Sequence, residues 1–332
     1  MVYASAPYLR LIEDQLPGSQ PLHLGAFADE RLVGVMPALL ARDSHFGRVA
    51  NSSPFYGSHG GAYSLLTGPE RDLCLRSLLE AFRLTCRREG CITSNVVEPL
   101  GNRDEALYRE VLEPWHTDQR TGQIVDDLSA DDDEMMSRYH QKTRNMVRKA
   151  TKTGVQVNVS TSPEAIEFLA RVHGENMGAI GAKPKSPGFF SALTEQLRPT
   201  EDWAVYEASI GSQRVAALLV LRFGESTEYF TPVTSAEFRN AQPMSLIVHT
   251  AMLDAARLGY SRFNFGGTWT TAQEGVYRFK SRFGASDLPY TYYVSKYEQG
   301  EPFDGASRSD LMAAYDGYYL FPFEPESARA EA

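Results

Sequence analysis

Lys280 is the residue best suited to catalysis. It lies within residues 263–283, which combine a strand pattern, a glycine pair, a polar loop and a helical pattern. An apolar strand pattern at 262–265 leads into the pair Gly266–Gly267, where a positive φ carries no steric penalty. A polar loop follows, and a helical pattern covers residues 275–283. A lysine between a strand end and a helix could stabilise negative charge on a carbonyl oxygen. The alternative is an ordinary core strand–helix unit with a surface lysine.

The helix that must position this lysine is defined by apolar spacing. Val276, Phe279 and Phe283 recur at intervals of three and four, which predicts one buried face. Lys280 is next to Phe279 and therefore borders that face. Gly284 follows as a left-handed helix cap would.

A second chemically informative segment is basic and spans residues 138–152. Arg144 and Arg148 are four residues apart and share a helix face. With Lys149 they are candidate ligands for the phosphates of a tRNA, a nucleotide-sugar diphosphate or a lipid headgroup. The alternative is a solvated basic face that balances the acidic run at 131–134, itself predicted to begin a helix rather than to bind metal. The six cations of the segment are Arg138, Lys142, Arg144, Arg148, Lys149 and Lys152.

Composition restricts the class of protein. The 332 residues suffice for two domains, and 42% hydrophobic with 23% charged residues is typical of a globular protein. No apolar run reaches the roughly 20 residues of a membrane span, and the first residues do not resemble a secretory signal. Three cysteines and no Cys/His cluster predict a cytoplasmic protein without disulfides or metal. A net charge of −9 opposes nucleic-acid binding over the whole surface, and we expect no DNA partner.

Three runs of sequence resemble one family. GVYRFKSRFGA at 275–285 and HQKTRNMVRKATKTGVQV at 140–157 are similar to segments of the Fem (FemABX-type) peptidyltransferases. NSSPFYGSHGG at 51–61 resembles a loop of Fem-like acyltransferases in the GNAT superfamily. The pattern of the second half, βαα-βββ-α-β-α-β, is the GNAT order. The predicted fold is therefore α+β, with tandem GNAT-like lobes built on mixed sheets flanked by helices.

The predicted domains follow from the same patterns. Residues 1–130 are predicted to form the first lobe and residues 131–299 the second. Residues 300–332 carry five aromatic side chains between Tyr315 and Phe323, so we expect them to pack back on the first lobe, with disorder only at the end.

The resemblance implies an aminoacyltransferase. The donor would be an aminoacyl-tRNA, without any cofactor, and the acceptor an amine on a cell-wall, polysaccharide or natural-product precursor with a nucleotide or lipid diphosphate. Lys280, Phe279 and Glu98 are the implied catalytic residues, with Glu98 as proton acceptor or acceptor ligand. The residues predicted to bind substrate are Tyr56, His59, Tyr229, Lys183, Lys185 and Arg239.

Two other functions remain open at this point. The chain could be an acyl-CoA-dependent N-acetyltransferase acting on an amino sugar, although its run FRNAQPMS at 238–245 departs from the pyrophosphate signature of those enzymes. Arg239 is present, but Ala241 replaces the first glycine and Pro243 lacks a backbone donor. The chain could also be a non-catalytic binder of tRNA or nucleotide-linked glycans. Peripheral membrane association is compatible with each function.

Overall fold

The computed structural model describes residues 2–16, 18–53, 59–101, 103–268, 274–298 and 305–320, except for the side chains of 42–45 and the backbone of residue 45. These residues fall into two compact units. The N-terminal unit contains Tyr3–Thr121 and the described residues from Leu288 onward, and the central unit contains Val2, Gly122–Thr268 and residues 274–287.

The strands are short in the first third of the chain and longer in the remainder. They are β1 (Ser19–Pro21), β2 (Leu24–Ala28), β3 (Arg31–Met36), β4 (Leu39–Ser44), β5 (Gly47–Asn51), β6 (Tyr63–Ser64), β7 (Cys91–Val97), β8 (His116–Val125), β9 (Val155–Ser160), β10 (Trp203–Ile210), β11 (Gln213–Phe223), β12 (Ser226–Thr234), β13 (Arg262–Thr268) and β14 (Ser286–Lys296).

The helices of the described residues are from seven to 21 residues long. They are α1 (Ala6–Gln15), α2 (Gly68–Arg88), α3 (Glu105–Leu112), α4 (Asp132–Arg138), α5 (Gln141–Lys152), α6 (Pro163–Gly178), α7 (Pro187–Gln196), α8 (Pro243–Arg257), α9 (Glu274–Ser281) and α10 (Arg308–Ala314).

In the N-terminal unit, the strand order is β1-β4-β5-β7-β14, with β5 and β7 parallel. A hairpin forms between β2 and β3, with Asp29 at φ +52 in its turn, and belongs to a separate sheet of order β2-β3-β6. Leu75, Leu78 and Phe82 of α2 are buried in the core of this unit, as their helical spacing predicts.

The central unit has the strand order β13-β12-β11-β10-β9. Three antiparallel pairings join β9 to β12, and β12 pairs with β13 in parallel. β11 is buried on both faces along most of its length, which requires helices on both sides of the sheet. Helix α8 supplies Ile247, Val248 and Met252 to this core.

Capping residues explain where the central helices begin. Asp131 accepts a hydrogen bond from the N–H of Glu134 at 2.8 Å, so the acidic run begins α4 as predicted. Ser162 caps α6 and Ser186 caps α7 in the same way, each followed by a proline in the first turn.

The aromatic residues near the C-terminus pack within the N-terminal unit. The Tyr315 hydroxyl donates to the carbonyl of Gly47 at 2.8 Å, and the Tyr319 hydroxyl donates to Asp118 at 3.0 Å. Residues 321–332, which include Phe323 and the end predicted to be disordered, lie outside the described residues.

Several predicted boundaries are wrong. β13 continues through Gly266, at φ +73, to Thr268 instead of breaking at the glycine pair. The run QIVDDL at 123–128 predicts a strand, but β8 begins seven residues earlier at His116, because residues 116–122 include no apolar side chain to mark it. Val276 is 48% exposed rather than buried, because the apolar face of α9 borders a cavity.

The three cysteines are free and buried. No helix in the described part of the chain combines the length and hydropathy needed to cross a bilayer. Among the same residues, no group of three or more His, Cys, Asp or Glu side chains is arranged to hold a metal ion.

Candidate active site

The candidate site lies where the neighbouring strands β12 and β13 separate. Their parallel register comprises three residue pairs, Ser226–Glu228 against Arg262–Asn264, although both strands continue for several residues. A bulge opposite Leu219 and Val220 leaves Phe230 out of the β11–β12 register, which bends β12 near this point. The parted strands leave backbone N–H and C=O groups without a strand partner, and such groups are available to a ligand.

A cavity of about 660 Å³ opens beside the parted strands. Its walls come from the end of β12, the start of α8 and the exposed face of α9. The lining residues are Asn176, Tyr229, Pro232, Val233, Thr234, Arg239, Gln242, Pro243, Met244, Ser245, Gly275, Val276, Phe279 and Lys280. Its volume is in the usual range for small-molecule sites.

Lys280 lies in the wall of this cavity and is 5% exposed. Its Nζ donates to Thr268 Oγ1 at 2.6 Å and to the carbonyl of Gly267 at 3.2 Å. It forms no ion pair with any residue that the structure describes. Burial disfavours the ammonium and lowers the pKa of Lys280 to about 8. At neutral pH the cavity therefore contains a cation whose hydrogen-bond partners are uncharged.

Two aromatic residues predicted from the sequence contact the same cavity. Phe279 packs edge-on against Phe283 at 5.2 Å, which fixes α9 on the core. Tyr229 packs at 5.3 Å from Phe265 of β13. The structure thus brings together Lys280, Phe279, Tyr229 and the predicted phosphate ligand Arg239.

The start of α8 lines the cavity next to Arg239. Its N-cap residue Gln242 adopts a left-handed backbone at φ +59 and makes no side-chain cap. The backbone conformation that favours glycine is therefore at position 242. The first glycine of the pyrophosphate signature thus corresponds to Gln242 and not, as predicted, to Ala241. Backbone N–H groups in the first turn of a helix, together with the helix dipole, attract anions, although Pro243 supplies no donor.

Glu98 does not line this cavity. It is 3% exposed in the N-terminal unit, directly after β7. Its Oε2 accepts hydrogen bonds from the N–H of Thr291 at 3.1 Å and from the Tyr293 hydroxyl at 3.4 Å. Its catalytic role stays a prediction.

The other predicted ligands are placed elsewhere. His59 is buried with its ring 4.9 Å from Tyr3, and burial lowers its pKa to about 3. Lys185 is half-buried over the ring of Phe230 at 5.0 Å, with its pKa lowered to about 8 by burial. Lys183 is exposed on the same loop, before α7. Tyr56 lies outside the described residues.

Thr268 and Asn176 also belong to the site and are not predicted from the sequence. Thr268 holds Lys280 in place from the end of β13. Asn176 of α6 donates from Nδ2 to the carbonyl of Thr234 at 3.1 Å and accepts from its N–H at 3.2 Å. The Asn176 amide thus substitutes for a neighbouring strand at the end of β12. Nothing in the local sequence marks Asn176, whereas the position of Thr268 directly after two glycines was an available signal.

Comparison of the sequence with family models identifies one domain. Residues 137–281 match the model described as an acetyltransferase (GNAT) domain, and this segment contains the entire cavity. No curated protein sequence matches the chain.

Solved structures match over most of the chain. FemX aligns with a TM-score of 0.68 at 14% identity, covering 86% of this chain and 90% of FemX. The C-terminal domain of a putative lysylphosphatidylglycerol synthetase from Agrobacterium fabrum aligns at 0.58 and 12% identity, covering 96% and 94%. A tandem GNAT protein from the clavulanic acid biosynthesis pathway aligns at 0.53 and 12% identity, covering 84% of each chain. The predicted tandem GNAT-like α+β fold is confirmed, and the resemblance to Fem-like acyltransferases is confirmed at the level of fold.

Proposed function

We propose that this chain is a Fem-like N-acyltransferase that transfers an aminoacyl group from the 3′ end of a tRNA to an amine acceptor. The fold and the matched domain support an acyltransferase of the GNAT and Fem-like type. The tRNA donor and the nature of the acceptor belong to the proposal.

The observation that carries the proposal is the environment of Lys280. A buried ammonium is unfavourable unless it has a function or a charged partner. Here its described partners are a hydroxyl and a carbonyl, and it borders a cavity. Such a cation is suited to an anion that forms only during reaction.

The reaction requires from the protein one cation or hydrogen-bond donor that stabilises the developing oxyanion. The acceptor amine attacks the ester carbonyl, a C–N bond forms, and negative charge develops on the carbonyl oxygen. The Lys280 ammonium stabilises that oxygen. The ester C–O bond then breaks, the amine loses a proton, and the ribose oxygen leaves with one. Phe279 and Tyr229 provide apolar walls that exclude water from the ester.

A tRNA donor is favoured over acyl-CoA by the residues at the start of α8. Gln242 and Met244 have side chains where the acyl-CoA signature has small residues, and Pro243 has no N–H to donate. These side chains obstruct close backbone approach of a pyrophosphate. The single phosphodiester near the 3′ end of a tRNA needs fewer hydrogen-bond donors than a pyrophosphate. Arg239 lines the cavity beside the start of α8 and is available to bind it.

The acceptor is proposed to be an amine on an envelope precursor. FemX belongs to the peptidyltransferase family that the sequence resembles, for which the acceptor is a nucleotide- or lipid-linked cell-wall precursor. The name of the Agrobacterium fabrum relative implies an aminoacyl group joined to a lipid. Both acceptors carry phosphate.

The experiment is a transfer assay with the purified full chain, total aminoacyl-tRNA charged with radiolabelled amino acids, and UDP-linked muropeptide or phosphatidylethanolamine as acceptor. We expect label to move to one acceptor, and ribonuclease added beforehand to abolish the transfer. Matched reactions contain labelled acetyl-CoA in place of tRNA. Transfer from acetyl-CoA that is unaffected by ribonuclease would refute the tRNA donor.

An acyl-CoA-dependent N-acetyltransferase is the second candidate. One observation favours it: the start of α8 borders the cavity without a side-chain cap, as a pyrophosphate site would. The acetyl-CoA arm of the same assay tests this function directly.

A further inference from the structure

The exposed face of α5 is a second candidate binding site. Lys142, Arg148, Lys149 and Lys152 are all exposed, and Thr143, Val147 and Ala150 on the opposite side are buried. At 100° per residue the four cations cover an arc of roughly 120° centred away from the core. We name these four residues the basic face.

No acidic side chain among the described residues pairs with the basic face. None of its four side chains forms an ion pair or a hydrogen bond with a residue that the structure describes. Many other arginines in the described residues pair with carboxylates, as Arg171 does with Glu175 at 2.6 Å and Arg138 does with Glu134. In a chain of net charge −9, four adjacent unpaired cations indicate an anionic partner.

Arg144 is not part of the basic face, although the sequence placed it with Arg148. Its guanidinium donates to the carbonyl of Tyr139, which turns it toward the start of its own helix. The structure thus retains Arg148 and Lys149 from the predicted phosphate ligands and adds Lys142 and Lys152.

A cavity of about 640 Å³ adjoins one end of the face. Arg148, Lys152 and Arg257 line it, together with Asp132 and Asp133 of α4. Two of the lining charges already have partners: the Asp132 carboxylate is 2.6 Å from Nε2 of His249, and Arg257 is paired with Asp254 at 2.9 Å. Arg148 and Lys152 therefore place one end of the basic face at a concave edge.

We propose that the basic face binds the phosphate backbone of the donor tRNA outside the cavity that receives its 3′ end. This inference rests on the proposed function. Lys142 and Lys152 are ten residues apart, which is about 15 Å along a helix, enough to contact two or three successive phosphates. Gln141 and Asn145 are also exposed on α5, and their amides can donate hydrogen bonds to phosphate oxygens.

An anionic membrane is the other polyanion that such a face could contact. A helix that binds a bilayer places large apolar side chains beside its cations. The exposed side of α5 has none, since Val147 is buried and Met146 is half-buried. The composition of the face favours RNA.

The test uses the triple variant R148Q/K149Q/K152Q and a control, R10Q/R87Q/R88Q, that removes the same charge from exposed sites on α1 and α2. Binding of uncharged tRNA is measured by fluorescence anisotropy between about 50 and 300 mM salt. We expect the triple variant to bind at least tenfold more weakly. The slope of log K against log salt should fall by roughly two to three in magnitude, because each lost phosphate contact contributes about 0.9.

Further measurements separate this inference from the proposed function. A short CCA-ended oligonucleotide should bind the triple variant and the wild type equally, and K142R/K149R/K152R should keep wild-type affinity for tRNA. Reduced tRNA affinity in the triple variant supports the inference even where no aminoacyl transfer is detected. Aminoacyl transfer with unchanged KM for tRNA in the triple variant overturns the inference and leaves the proposed function intact.

Three other outcomes overturn the inference as well. They are absence of tRNA binding by the wild type, equal weakening by the control variant, and loss of binding to phosphatidylglycerol vesicles with tRNA binding unchanged. Thermal denaturation of each variant checks that it is folded.

Discussion

At the scale of single residues, the burial of Lys280 has two opposite effects, one favourable to activity and one unfavourable to stability. Burial excludes water from its ammonium, which strengthens its action on a developing oxyanion. The same burial lowers its pKa from 10.5 to about 8, so the charged form destabilises the folded chain. A buried, functionally required charge is expected to show this conflict between activity and stability.

The first prediction separates these two effects with Lys280→Met, which keeps the length of the side chain and removes its charge. We expect kcat for acyl transfer to fall about 10²- to 10³-fold, as for loss of an oxyanion donor. The variant should unfold at the same or a higher temperature than the wild type. The control is Arg278→Met on the exposed side of α9, which should retain activity. Unchanged kcat in the Lys280 variant would exclude the assigned role.

The pH profile provides a second prediction. The folded pKa of Lys280 is about 8, so the stabilising cation is present below pH 8 and is lost as the pH rises through that value. Deprotonation of the acceptor amine acts in the opposite direction, so the ratio of kcat for wild type to kcat for Lys280→Arg is the quantity to measure. Arginine stays protonated, and the ratio should therefore decline above about pH 8. A ratio independent of pH between 6 and about 9.5 would contradict the assignment.

At the scale of elements, the position of α9 depends on Gly284. Its φ is +81, and an added Cβ would lie 3.1 Å from the carbonyl oxygen of Arg138. The N–H of His140 donates to the carbonyl of Arg282 at 2.9 Å, which joins this turn to the start of α5. Glycine permits both the backbone conformation and the close approach.

We predict that Gly284→Ala lowers the free energy of unfolding by about 1–2 kcal/mol, because alanine is strained at positive φ. Urea denaturation measures the change. Gly174→Ala is the matched control: Gly174 is within α6 and a Cβ there meets no atom within 4 Å, so that variant should be neutral or more stable by about 0.5–1 kcal/mol. Equal stability of the two variants would show that the turn tolerates a side chain.

At the scale of the whole molecule, each unit has its own buried core, and the matched GNAT domain and the cavity both belong to the central unit. Donor binding should therefore be detectable as stabilisation of the intact chain by mass action. A ligand at one hundred times its Kd contributes about 2.7 kcal/mol, which corresponds to roughly 5 °C in a chain of this size.

The last prediction concerns this stabilisation. A CCA oligonucleotide carrying an amide-linked amino acid, which cannot be hydrolysed as an ester, should raise the melting temperature by several degrees. Acetyl-CoA should not. UDP-linked muropeptide is the corresponding probe for the acceptor. A shift with acetyl-CoA alone would identify the protein as an acetyltransferase on a tandem scaffold.

Local sequence patterns were sufficient for most elements and for part of the site. The periodicities of α2 and α8, the cap at Ser162 and the left-handed Gly284 are all properties of a few neighbouring residues. The resemblance around Lys280 identified the residue that the structure places in the cavity wall. The strand β8 was missed in part, because its first residues are half-exposed and lack a clear alternation.

The sequence by itself determined the α+β order of elements, the breaks between them and the candidate lysine, because these depend on interactions among residues close in the chain. Only the tertiary structure decided that β12 and β13 part after three residue pairs, that Val276 borders a cavity and that Asn176 binds the end of β12. It also decided that Lys280 is buried with Thr268 as its partner. These features arise from contacts between segments distant in sequence, where packing and the satisfaction of backbone polar groups outweigh local preference.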